Sequence, residues 1–187
     1  MPVKLGSRPE HGFDQPLELL SDCHRRIENF LEILQRVLDE AAGRPLNEQQ
    51  QRAVEISLEY FRTATPRHTA DEEESLFPLL RQSGDPGAEA AIEIVQALER
   101  EHAAADVQHA EVEFWYRRWM EFGSLAAPQV RKLARVLEEL RKMYERHIDI
   151  EDHEIFPLAG RVLDSEQLSE LGAQMAERRG LSYDKQH

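Results

Sequence analysis

AEAAIEIVQALEREHAAADVQHAEVEFWYRRWMEF, residues 88–122, is the stretch from which the rest of the chain can be read. Apolar and aromatic residues recur along it at Ala91, Val95, Leu98, Ala105, Val112, Tyr116 and Trp119, in steps of three and four. That is the period of a helix with one buried face. His102 and His109 stand in the same series, where a plain core would carry leucines. Such a helix is about 50 Å long at roughly 1.5 Å per residue. It stops at Gly123.

Outward from this segment, three more helices show the same pattern. Upstream, Pro16 to Ala42 carries Leu17, Leu20, Ile27, Leu31, Leu34 and Leu38, with His24 in the one slot missing from the stripe. It ends at Gly43-Arg44-Pro45. The next begins at Asn47, with Gln50 three residues on as in a capping box. Its stripe is Val54, Leu58, Phe61, Thr65, His68, Glu72, and Pro66 is expected to kink or split it just before the histidine. It ends near Arg81, before Ser83-Gly84-Asp85-Pro86-Gly87. Downstream, a helix from Ala127-Pro128 carries Val130, Leu133, Leu137, Leu140, Tyr144, His147 and Glu151, and a short one follows from Ser165 to about Arg178.

Long amphipathic helices joined by short loops predict an all-α fold, an antiparallel up-down-up-down four-helix bundle with a short C-terminal helix. Residues 1–15 are expected to form a flexible leader, 16–162 the bundle, and 163–187 the C-terminal helix and tail. A coiled-coil dimer is the alternative, but its seam would bury ionisable groups in every helix.

Composition narrows the function. The 187 residues hold 36 acids against 23 bases, a formal net charge of −13, which argues against nucleic acid and anionic membrane as partners. The single cysteine, Cys23, leaves no internal disulfide and no cysteine-rich metal site. No apolar run approaches the roughly 20 residues of a membrane span, and Met1 to Pro9 does not read as a signal peptide. A cytoplasmic location is the expectation.

The chain also repeats itself. His68-Thr-Ala-Asp-Glu72-Glu-Glu-Ser-Leu-Phe77-Pro78-Leu79 aligns without gaps to His147-Ile-Asp-Ile-Glu151-Asp-His-Glu-Ile-Phe156-Pro157-Leu158. Upstream, Leu20-Ser-Asp-Cys-His24 pairs with Leu98-Glu-Arg-Glu-His102, at separations of 44 and 45 residues from the downstream histidines. Two helical hairpins are therefore duplicated, each with one lone histidine and one H-x-x-x-E pair. Residues four apart share a helix face, about 6 Å from each other, so His68 with Glu72, and His147 with Glu151, can present nitrogen and carboxylate to one point.

All six side chains, His24, His68, Glu72, His102, His147 and Glu151, fall on core-facing stripes. Ionised carboxylates there are very costly unless paired or bound to a cation, and the stripes carry no Lys or Arg near this layer. Metal answers that need. Divided over two ions, the set supplies two histidines to each, with both carboxylates bridging. A bridging oxo or hydroxo would make each ion five-coordinate, with a position free for an exogenous ligand. Nitrogen and carboxylate donors without sulfur suit iron, with manganese or zinc as competitors. Taken singly, each residue reads as a core histidine or a surface i,i+4 pair; the gapless repeat is what joins them.

These motifs resemble those of the hemerythrin-like, H-H-E cation-binding family. The resemblance runs from about Leu17 to Gly180 and includes the tail Met175-Ala-Glu-Arg-Arg-Gly180. It implies a non-haem di-iron centre in an antiparallel four-helix bundle, with the same six residues as ligands. One departure stands out. Oxygen-carrying members place another histidine four residues after the third-helix ligand, where this chain has Asp106, mirrored by Glu28 four residues after His24. Both acids sit at the stripe edge and read as a solvated flank. The resemblance implies a site that reacts with dioxygen, peroxide or another small oxidant, in sensing, detoxification or iron handling. Reversible oxygen carriage is the alternative use.

Other residues take lesser parts. Tyr144 is one turn from His147 and reads as core filler able to donate a hydrogen bond. His109 lies two turns beyond His102 and lines an access route at most. Ala103, Ala104 and Ala105 leave room beside His102. Cys23 reads as packing, His153 as outward-pointing, and His11 and His187 carry no signal. In the acidic run Asp71-Glu72-Glu73-Glu74, only Glu72 falls on the stripe; the others read as surface. A ferritin-like di-iron carboxylate enzyme would use paired E-x-x-H motifs; Glu99 to His102 is one, without a repeat partner. A zinc-stabilised or metal-free helical interaction module explains the helices but not the doubled ligand set.

Overall fold

The computed structural model describes residues 10–182, and every regular element among them is helical. Four long stretches carry the fold. α1 is Pro16–Ala41, and α2 (Glu48–Thr63) leads into α3 (Thr65–Asp71) and α4 (Phe77–Gln82). α5 spans Pro86–Phe122, and α6 (Ala127–Ile150) continues into α7 (Phe156–Val162). The short α8, Ser165–Glu177, closes the described chain. α1 packs on α2 and α6, and α5 packs on α6 and α2. None of these helices is long and apolar enough to cross a membrane.

Local chemistry sets the boundaries. Asn47 and Gln50 form the expected reciprocal capping box, Asn47 Oδ1 accepting from Gln50 N at 2.9 Å. Asp85 accepts from Gly87 N and Ala88 N at the head of α5. Pro66 has the expected effect: the helix breaks at Ala64, between α2 and α3. Gly43 (φ 82°) closes the α1–α2 turn in the left-handed region, and its carbonyl accepts from Leu125 N at 2.9 Å. A Cβ there would sit 2.6 Å from the Leu125 carbonyl oxygen.

Two short π-helical turns, Glu72–Leu76 and Glu151–Ile155, were not expected from the sequence. Each starts at a glutamate of the repeat and ends just before a Phe-Pro pair. A proline inside an α-helix has no N–H to give the carbonyl four residues back, and its ring clashes with that carbonyl. The wider turn absorbs the conflict: Phe77 N–H bonds the Glu72 carbonyl, and Phe156 N–H bonds that of Glu151.

The core comes in two parts. One is built on Ile27, Leu31, Val54, Leu133, Leu137 and Trp119; the other on Leu20, Leu76, Phe77, Leu98, Ile155 and Met175. Along α1 and α5 the stripe passes from one part to the other through a histidine, His24 or His102, and a polar layer lies between them. Buried polar tips in the first part are satisfied: Tyr116 Oη donates to the Leu34 carbonyl at 2.6 Å and Trp119 Nε1 to that of Arg44 at 2.9 Å.

Part of the segment read as a leader, residues 1–9, lies outside the described residues. Of the rest, Glu10 N and His11 N donate to Asp22 Oδ2 at 2.7 and 2.8 Å. The Phe13 carbonyl lies against α8, where a Cβ on Gly172 would come within 1.9 Å of its oxygen. Gly172→Ala is therefore expected to cost about 1–3 kcal/mol, read as a lower urea midpoint; an unchanged midpoint would mean that this segment is not seated on α8.

Candidate metal centre

The polar layer gathers the six predicted side chains. His24, His68, Glu72, His102, His147 and Glu151 are all buried, and both glutamates are 0% exposed. Metal-capable donor atoms lie within 4.8 Å of one another in two groups that share Glu151: His24, His68, Glu72 and Glu151, and His102, His147 and Glu151. Glu72 also reaches across, with Oε2 3.4 Å from His102 Nε2 while Oε1 is 3.3 Å from His68 Nε2. Glu151 Oε2 stands 3.1 Å from His24 Nε2 and 3.2 Å from His147 Nε2.

Three imidazoles are aimed by carboxylates behind them. Nδ1 of His24 donates to Asp152 Oδ1 at 2.9 Å, and Ser21 Oγ donates to the same oxygen at 2.8 Å. Nδ1 of His102 donates to Glu73 Oε1 at 2.8 Å, and Nδ1 of His147 to Glu101 Oε2 at 3.0 Å. With the proton on Nδ1, each Nε2 turns a lone pair to the centre. Nε2 of His102 and Nε2 of His147 face each other at 3.0 Å. With both rings neutral in that tautomer, two lone pairs at that distance repel unless a proton or a metal cation lies between or beside them.

The carboxylates make the same demand. All four oxygens of Glu72 and Glu151 are buried without a hydrogen-bond partner, as is His24 Nε2. Buried polar atoms are nearly always satisfied, and a buried charge costs several kcal/mol without a counter-ion. The donor set fits metal cations on these grounds.

The electrostatics of the metal-free cluster are strained accordingly. Burial, and the charge of Glu151, push Glu72 up to about 7. Burial pulls in the same direction on Glu151, but His147 and His24 more than offset it and hold this carboxylate low. Burial lowers His147, yet Glu151, Glu72 and Glu101 raise it to about 9. His24 moves likewise, burial being overcome by Asp152, Glu151 and Glu72. His68, without a carboxylate on Nδ1, is driven well below its ordinary value by burial and by the neighbouring His24.

Several expectations need correction. Glu73 is not simply surface, because it orients His102. Asp71 is 0% exposed and meets both arginines of the tail: Arg179 Nη2 at 2.7 Å and Arg178 Nη1 at 3.0 Å. Arg178 Nη2 also donates to Ser75 Oγ at 2.6 Å, so the end of α8 is bolted to the turn that bears Glu72. Ala103 and Ala104 are exposed; only Ala105 faces inward. Asp106 and Glu28 are exposed and stand outside both metal-capable groups. Glu99 is turned away from the centre, paired with Arg81 at 2.8 Å. Tyr144 is buried, and its hydroxyl is hydrogen-bonded to His109 Nε2 at 2.9 Å. His109 lines a surface cavity of about 170 Å³ with Asp106 and Phe61. His153 is exposed, as expected.

Asp152 and Glu101 were not singled out in the sequence. The available signal was adjacency: each is next to a predicted ligand, on a repeat position, and carries an acid. Compared with known families, residues 15–159 match the hemerythrin HHE cation binding domain. No curated protein matches the chain.

Proposed function

Because the chain belongs to the hemerythrin HHE cation-binding family, we propose that its six inward-facing side chains hold two iron ions, and that the loaded protein reacts with dioxygen or peroxide. The observation that carries this reading is the set of four partnerless carboxylate oxygens ringed by histidine nitrogens. His24 and His68 would hold one ion, His102 and His147 the other, and Glu72 and Glu151 would be shared. Manganese and zinc are the competing metals. The antiparallel up-down-up-down bundle belongs to the same proposal. It is supported by the Leu125 to Gly43 hydrogen bond joining two turns at one end, and by Leu17 lying beside Gly160 at the other.

Iron, when bound by these residues, would supply the electrons for reducing a small oxidant. The protein's own groups prepare the place. Asp152, Glu73 and Glu101 keep three imidazoles turned inward, and the two apolar core parts exclude bulk water from the layer. The Tyr144 hydroxyl is hydrogen-bonded to His109, which burial keeps neutral by lowering it to about 4. The absence of a further histidine at Asp106, whose side chain is exposed, supports oxidation in preference to reversible carriage. Detoxification, redox sensing and iron handling all draw on that chemistry. A cytoplasmic location belongs to the same proposal; the net charge of −13 favours small oxidants over nucleic acid or membrane as partners.

Stopped-flow mixing of the reduced protein with oxygen, followed by vacuum cycles, tests the choice. Irreversible oxidation with peroxide consumption is expected. Full recovery of the reduced spectrum through repeated cycles would instead assign reversible oxygen binding.

A further inference from the structure

The two halves of the centre are built from a repeat, but they are not supported alike. Glu73 and Asp152 occupy equivalent repeat positions, each directly after a shared glutamate. Each crosses to the lone histidine of the other half: Glu73 to His102, Asp152 to His24. The remaining supporting contact runs within a half. Glu101, directly before His102, accepts from His147 Nδ1 at 3.0 Å. Its repeat equivalent is residue 23, directly before His24, and the side chain it would support is His68.

Residue 23 is a cysteine, 7% exposed, and it offers no carboxylate. His68 Nδ1 is buried without a hydrogen-bond partner. Thr65 Oγ1, one turn earlier on α3, is also buried and partnerless, so it does not substitute. A carboxylate behind an imidazole fixes its tautomer and ring orientation and raises its basicity as a ligand. Three of the four histidines have that support, and His68 lacks it.

We infer that the two ion positions are unequal: the His102–His147 position binds first and more tightly, and the His24–His68 position fills second, because Cys23 stands where the repeat requires an acid. The inference rests on the two-ion reading above.

The test is anaerobic calorimetric titration of the metal-free full chain with ferrous ion. Two steps are expected, with affinities separated by roughly 10- to 100-fold. His68→Ala should remove the weaker step and keep the tighter one. Cys23→Glu should tighten the weaker step by roughly 10-fold or more. Glu101→Leu, which leaves each half with one unsupported histidine, should loosen the tighter step until the two merge, and it decides the matter even if Cys23→Glu does not fold. Two ions taken up at a single affinity by the unaltered chain, or loss of the tighter step in His68→Ala, would overturn the inequality and leave the two-ion reading standing. Uptake of fewer than two ions would remove that reading and this inference with it.

Discussion

Chelation is expected to lower the melting temperature by roughly 10 °C without unfolding the chain at room temperature. A ligand present at about a thousand times its Kd adds roughly 4 kcal/mol to the folded state, and each kcal/mol moves the midpoint of a chain this size by roughly 2–4 °C. The two core parts do not depend on metal, so the helices persist. The deficit should widen as pH rises from 6.5 to 9. In the metal-free chain His147 titrates at about 9 against an ordinary 6.5, because Glu151 and Glu72 outweigh burial. A base raised in this way contributes stability fully below its unfolded value, and loses it as pH rises through its folded value. The loss for His147 alone is about 3 kcal/mol, and His24 acts in the same direction. Glu72, pushed up to about 7 by burial and by the charge of Glu151, adds a cost that accrues as pH rises from its ordinary 4.5 to 7 and is constant above. The loaded chain holds these imidazoles neutral throughout and is spared the change. His68 and His109, depressed by burial, are already neutral in the metal-free chain, so metal changes little at either and they drop out of the difference. The informative window is therefore neutral to alkaline. A difference between loaded and metal-free protein that does not change with pH would contradict the burial of this charged cluster.

Substitution of a shared glutamate should be far more damaging to metal binding than substitution of a flanking acid. Glu72→Ala or Glu151→Ala removes oxygens that face both halves and leaves cationic charge uncompensated in a buried layer, so metal affinity should fall by more than roughly 100-fold, beyond the loss typical of a supporting residue. Asp106→Ala and Glu28→Ala should change it by less than about 2-fold, since both side chains are exposed and stand outside the metal-capable groups. Metal content after dialysis against a weak chelator measures the contrast. An Asp106→Ala protein that loses metal as readily as Glu72→Ala would promote that aspartate to a ligand.

The helices and the six-residue cluster were legible because both follow from periodicity. His24 fills the gap between Leu20 and Ile27, and His102 that between Leu98 and Ala105; such positions are bound to the core face whatever they carry. The supporting acids were illegible for the same reason. Glu73, Asp152 and Glu101 are each one residue from a predicted ligand, about 100° around the helix, and so were off the stripe. What makes them matter is a neighbouring helix within reach, a tertiary fact. Asp71 is the sharper case. Its place in an acidic run suggested solvent, but it is fully buried because Arg178 and Arg179 return from more than 100 residues away. The π turns were signalled by Pro78 and Pro157, whose missing N–H groups a regular helix could not tolerate, but not their form. Pro66, with no such wide turn, interrupts its helix at the single residue Ala64, which keeps helical dihedrals.

Everything turns on whether the six residues act as one dinuclear site. The most direct measurement is metal quantification on anaerobically purified protein from iron-replete cells, paired with its absorption spectrum before and after air. The account predicts two ions per chain, mostly iron, and a spectrum that changes on oxidation. One ion per chain at saturation, with all six residues intact, would contradict it.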